Sequence, residues 1–95
     1  MSGAEVRIAS LVPSLTELLF ALDLGNSVVA RTGFCIHPRD KVRTVPKVGG
    51  TKDVDLEALV ATRPTHLVAN VDENRKETIE ALGTRIPRIV VTHPL

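Results

Sequence analysis

Residues 7–30 read RIASLVPSLTELLFALDLGNSVVA, and the order of signals within them decides the fold. The run from Val6 to Val12 is apolar, contains β-branched residues and ends at Pro13, as expected for a short buried strand. Ser14 with Glu17 three positions on has capping-box spacing. Leu15, Leu18, Leu19 and Leu22 then recur on one face of a helix, and Gly25 is placed to end it with a left-handed cap. Ser27 to about Arg31 returns to strand character. A strand, a helix and a second strand within so few residues make a βαβ unit.

The same alternation continues outward. After a long polar connection, DLEALVATR (55–63) sets Leu56, Leu59 and Val60 on one helical face, with Asp53 or Asp55 as cap and Pro64 as stop. THLVANV (65–71) is a strand, and Asn74 with Glu77 repeats the cap-plus-three spacing before a helix ending at Gly83. PRIVVT (87–92) is a last strand. The pattern predicts an α/β lobe of Rossmann-like, three-layer type. Its mostly parallel sheet has about four strands, with right-handed crossovers and helices on both faces. Ligands of such sheets gather at the carboxyl ends of the strands, which directs attention to VPSLT, RTGFCIHP, NVDENR and THPL. The final strand runs straight into Leu95, so a further helix is expected after His93 and Pro94.

Composition removes several function classes. Ninety-five residues, 43% hydrophobic and 24% charged, suit one globular unit. A formal net charge of +1, with scattered basic residues, argues against nucleic acid. Two phenylalanines, without Trp or Tyr, provide no stacking platform for bases. One cysteine excludes an internal disulfide. No apolar run reaches the ~18–20 residues of a membrane span. The amino terminus carries no basic-then-apolar leader, which implies a cytoplasmic protein if Met1 is the native start, or a removed leader if it is not.

Several residues invite chemistry. Cys35 and His37, two apart, share a side of an extended segment and are candidate metal ligands, with His93, Asp72 and Glu73 as completing groups if their loops converge. The more ordinary reading is a buried thiol beside a loop histidine. A nucleophilic Cys–His pair, the Cys-dependent enzyme reading, would need Cys35 with His93 or His66. Gly49-Gly50-Thr51-Lys52 lacks the full phosphate-loop pattern and suggests a tight turn instead. Asp72, Glu73 and Glu57 all sit where a helix dipole already favours negative charge.

Taken together, RIASLVPSLTELLFALDLGNSVVARTGFCIHP (7–38) and KVGGTKDVDLEALVATRPTHLVANVDENRKETIEALG (47–83) resemble the amino-terminal lobe of the helical-backbone metal receptors. These are the substrate-binding proteins of ABC importers for cobalamin, haem and iron–siderophore complexes, and the likeness is nearest to the cobalamin-binding branch. It implies that residues 1–95 are one lobe of a bilobal, periplasmic or cell-envelope binding protein, cut before the helix that joins the lobes. It implies no enzyme activity and no required cofactor. The partners implied are a metal chelate held between the lobes and an ABC permease. An isolated lobe would expose surface that favours self-association or domain swapping.

Mapped onto this chain, the family's cleft places Phe34, Thr51 and Val71 towards ligand, with Cys35, Lys52, Asp72 and Glu73 beside them. In cobalamin binders the first three positions tend to be aromatic. Here only Phe34 is, and Lys52 is then available to an acidic ligand group. Glu57 matches the glutamate that pairs with permease arginines. A cytoplasmic corrinoid- or metal-handling protein of the same fold is the alternative, and it would give Cys35, His37 and His93 more weight.

Overall fold

A computed structural model of the chain describes residues 5–93. The expectations for Met1, and for the loop beyond His93, fall outside that range. Four strands, β1 (Ile8–Ser10), β2 (Val28–Arg31), β3 (His66–Asn70) and β4 (Arg88–Thr92), pair in parallel in the order β2-β1-β3-β4. Ile8 stands opposite Val28 on one side and His66 on the other, and β3 and β4 pair over their whole length. The helices are α1 (Pro13–Ala21), a single turn α2 (Arg39–Val42) inside the long connection, α3 (Leu56–Ala61) and α4 (Lys76–Gly83).

The step from β1 to β2 moves one way across the sheet, and the two later crossovers move the other way. Right-handed crossovers then put α1 on one face and α3 and α4 on the opposite face. Strand alternation agrees. Ala9, Leu11, Ala30 and Leu67 meet Leu59 of α3 and Leu82 of α4 in the buried core, joined by Val48 and Ile86. Ser10, one residue on from Ala9, turns to the other side and its hydroxyl meets Thr16 of α1 at 2.8 Å. Each fully buried leucine removes enough apolar surface from water to contribute about 1.5–3 kcal/mol, so the core lies between the sheet and α3/α4.

The α1 side is packed differently from the sequence expectation. Leu18 and Leu22 are exposed, Leu15 and Leu19 are half-buried, and Thr16 is the fully buried residue of the helix. The helix approaches β1 through small polar groups, which leaves its leucine stripe at the surface. On the same side of the sheet Val90 of β4 is 50% exposed, so α1 shields β1 and β2 better than β4.

The helix ends also correct three expected caps. Ser14 lies inside α1, whose N-cap is Val12 and whose first residue is Pro13; the proline needs no hydrogen-bond partner there and already has helical φ. Asp23, at φ 65°, makes the left-handed reversal expected of Gly25, which instead opens a 3-10 turn (Gly25–Ser27). Asn74 is not a cap either, because α4 starts one residue later with Arg75 at the N-cap. Asp55 is a cap: its carboxylate accepts from the Ala58 amide at 3.1 Å. Asp55→Ala therefore lowers unfolding free energy by about 1 kcal/mol, whereas Ser14→Ala stays within about ±0.5 kcal/mol in urea titration. Equal losses would restore the capping box.

Candidate functional site

Because all four strands run parallel, their carboxyl ends share one edge, and the exit loops of β2 and β3 build a rim there. Beyond β2 the chain turns tightly, with the Cys35 amide donating to the Thr32 carbonyl (3.1 Å), and this turn lifts Phe34 to 65% exposure. Lys47 to Gly49 returns alongside. The Val48 amide donates to the Arg31 carbonyl and the Gly33 amide to the Gly49 carbonyl, both at 2.8 Å. Gly49 then bridges back to Val54, leaving Thr51 and Lys52 at the tip. Gly49 holds φ 105°, where a Cβ would run into the Asp53 carbonyl. A Cβ at Gly50 would lie only 3.5 Å from the Phe34 ring, so the ring and the glycine tip are neighbours.

The β3 exit closes onto this tip. Lys52 Nζ donates to the Asp72 carbonyl (2.7 Å), and Arg75 Nε donates to the Lys52 carbonyl (2.6 Å). Beneath them Asn74, 2% exposed, donates its carboxamide to the carbonyls of Leu11 and Thr51, each at 3.1 Å. Its Oδ1 accepts from the Asn70 amide at 2.9 Å, while Asn70 Oδ1 accepts from the amides of Asp72 (2.8 Å) and Glu73 (3.3 Å). Val71 and Asp72 are exposed at the rim and Glu73 is half-exposed. The structure thus brings Phe34, Thr51, Lys52 and the 71–73 loop along one edge.

Cys35 does not join them. It is wholly buried, and its sulfur lies 3.1 Å from Thr16 Oγ1 and 3.2 Å from Thr32 Oγ1. Beyond the Gly33–Phe34 turn Cys35 is buried while Ile36 and His37 are both exposed, so the expected shared side of Cys35 and His37 is lost. No group of three or more potential metal-ligating side chains converges among the described residues, and His93 is exposed after β4. A nucleophilic role fails on the same geometry, since the groups holding the thiol are hydroxyls rather than a base.

Two organising residues escaped the sequence reading, Arg31 and Asn70. Arg31 is only 7% exposed and donates to the carbonyls of Val45 (2.9 Å), Cys35 (3.2 Å) and Thr32 (3.4 Å), which pins the long connection under the rim. A charged residue following two valines and an alanine, at a strand end, was the available signal for it. For Asn70 it was the second asparagine, four residues later. In the first turn of α3, Glu57 Oε2 accepts from Arg85 at 2.8 Å on the exposed surface. That hydrogen bond and the carboxylate's charge hold the Arg85 guanidinium above its ordinary pKa. A hollow of about 580 Å³, lined by Phe20, Asp23, Asp40 and Lys41 among others, opens beside Val28 at the amino end of β2, far from the rim. The rim itself is an open edge rather than an enclosed cavity.

The parallel sheet thus carries an exposed aromatic and a braced polar loop at its strand exits, the edge where sheets of this kind hold ligands. The chain belongs to the periplasmic binding protein family, whose model matches residues 8–94; this is a family of binding proteins, not enzymes. It is 28% identical over 92 residues to a vitamin B12-binding protein of Photorhabdus laumondii, covering 97% of this chain and 33% of that protein. Over 64 residues it is 38% identical to the uncharacterized ABC transporter substrate-binding lipoprotein YvrC of Bacillus subtilis, covering 67% of this chain and 20% of that one. Among solved structures, the haem-binding protein RhuT of Roseiflexus superposes with a TM-score of 0.85 at 24% identity, covering 95% of this chain and 34% of its own. The vitamin B12-binding protein BtuF of Vibrio cholerae gives 0.80 at 24% identity, covering 90% and 33%. The chain therefore spans about a third of the length of these fuller relatives.

The rim's backbone makes a sharp distinction between its two glycines. Gly49→Ala is expected to destabilise by more than about 1 kcal/mol, because both its φ and the Asp53 carbonyl exclude a Cβ. Gly50→Ala meets only ordinary contact with Phe34 and is expected within about ±0.5 kcal/mol in thermal unfolding. The reverse order would show that the tip does not adopt this turn.

Proposed function

We propose that residues 1–95 are the amino-terminal lobe of an ABC-importer substrate-binding protein that works in the periplasm or at the cell envelope. Its ligand is a corrinoid or another metal chelate, gripped between this rim and a second lobe. The observation that carries the reading is the placement of Phe34, 65% exposed, against the Gly50 tip at the carboxyl edge of the sheet. An exposed aromatic costs free energy in water and gains it against the flat face of a macrocycle. Support comes also from relatives named for vitamin B12 and haem.

In this reading Phe34, Thr51 and Val71 contact the body of the chelate. The peripheral polar groups of the ligand meet Lys52, Asp72 and Glu73. Lys52 is tethered to the Asp72 carbonyl by one of its three protons, which leaves two for an acidic substituent. The binding is non-covalent, with shape and apolar contact supplying affinity and a few polar anchors supplying orientation. A lobe that holds half the contacts binds weakly alone. The leucines at 18 and 22, with Val90, give such an isolated lobe apolar surface for self-association.

The test is spectroscopic. The intact two-lobed protein, titrated separately with cyanocobalamin, haemin and a ferric siderophore, should shift the visible spectrum of one of them with a saturating curve. Invariant spectra with all three would sink the metal-chelate reading.

Glu57 is the docking residue of this proposal. It is exposed, and its carboxylate turns to Arg85 rather than to the rim side chains, which leaves it open to a permease arginine. Arg85 holds the same carboxylate beforehand, and docking exchanges one guanidinium for another. Exposed pairs of this kind add little stability, yet they set docking register and encounter rate. Glu57→Lys should leave ligand affinity unchanged while uptake through the importer falls. Loss of affinity would move Glu57 into the cleft.

A further inference from the structure

We propose that Asn74 is the positioning residue of the rim, fixing three strand-exit segments as one rigid ligand-facing surface. The proposal rests on the binding reading above and adds how its contact residues keep their spacing. A single buried carboxamide spans the exit of β1 at Leu11, the glycine tip at Thr51 and the exit of β3 at Asn70. These three segments lie apart in sequence; the Leu11 amide extends the β1–β3 ladder by donating to the Val68 carbonyl at 3.0 Å, but the glycine tip at Thr51 has no such ladder to either strand exit. Thr51, whose carbonyl is one of Asn74's partners, and Val71, next to its partner Asn70, are therefore spaced by its hydrogen bonds.

The chemistry of the partners selects the residue. Two carbonyls require two N–H donors on one atom, and one amide N–H requires an acceptor a short distance away. A carboxamide supplies that set with one planar group, and its orientation is fixed because the flipped amide would aim oxygen at two carbonyls. Aspartate keeps the acceptor and loses both donors. Glutamine carries the same group one methylene too far.

Other ties between the tip and the β3 exit are of a different kind. The Lys52 and Arg75 contacts are solvent-exposed, and the Arg75–Asp53 pair at 3.6 Å has its carboxylate almost fully in water. Water competes for those groups, so they follow the rim rather than define it. Asn74 is shielded from such competition, and a broken bond there leaves a buried carbonyl without a partner. The rim is thus held ready before ligand arrives, so that binding does not have to order it.

The test compares Asn74→Asp and Asn74→Ala in the full-length protein by amide hydrogen exchange without ligand, then by titration with cyanocobalamin. Asn74→Asp should speed exchange of the Gly50 amide by about tenfold or more while sparing Asn70, whose acceptor is kept. Asn74→Ala should speed both. The Leu11 and Leu67 amides, inside the sheet, should keep wild-type protection in each variant. Affinity for cyanocobalamin should fall about tenfold with either variant, as expected when ligand must order a loosened rim. A uniform rise at all amides, or failure of both variants to fold, would make Asn74 a general core residue and overturn the proposal. Unchanged exchange at Gly50 would overturn it as well. If the wild type ignores cyanocobalamin, haemin and ferric siderophore alike, the ligand reading fails, and the exchange pattern alone decides the role of Asn74.

Discussion

Everything at the carboxyl edge of this sheet follows from one constraint: parallel strands end together, and the chain leaving them must satisfy its backbone polar groups without a sheet ladder. An exit loop that packs beneath a rim buries carbonyls and amides that have lost access to water. Here side chains take over that task. Arg31 collects the carbonyls of Val45, Cys35 and Thr32, and Asn74 collects those of Leu11 and Thr51. The rim is consequently a polar scaffold carrying an exposed aromatic, rather than an extension of the hydrophobic core.

The two faces of the sheet divide the labour. Leu11, just beyond β1, and the leucines of β3, α3 and α4 form an apolar cluster with Ala9, Ala30 and Val48, which supplies most of the hydrophobic driving force. On the other face α1 is seated through Thr16, whose hydroxyl contacts Ser10, the Val12 carbonyl and the Cys35 sulfur. Small polar groups allow close approach of helix to strand and hold the turn that presents Phe34. The leucine stripe of α1 is left outward by that same seating.

Much of the fold was legible because its signals are local. Strand runs, the Asp55 cap and the order of elements depend on residues within a few positions of one another. The candidate positions Phe34, Thr51 and Lys52 came from a resemblance whose motifs span most of the chain, and the fold sets them along one edge. Cap assignments were less secure. Ser14, Gly25 and Asn74 each carry a plausible local signal, and in each case a neighbour or a tertiary partner took the role. Pro13 pre-empts Ser14, Asp23 pre-empts Gly25, and Asn74 finds partners in two segments far along the chain.

By itself, then, the sequence determined a parallel α/β lobe, its element order and the edge where its loops gather. Those features rest on short-range periodicity and on the handedness of crossovers, which hold whatever the neighbours are. Only the tertiary structure decided that Cys35 turns inward, that the leucine face of α1 stays outward, and that Asn74 braces the rim. Side-chain direction in a loop and the choice of hydrogen-bond partner depend on which distant carbonyls and hydroxyls are brought within reach, and no local pattern encodes that.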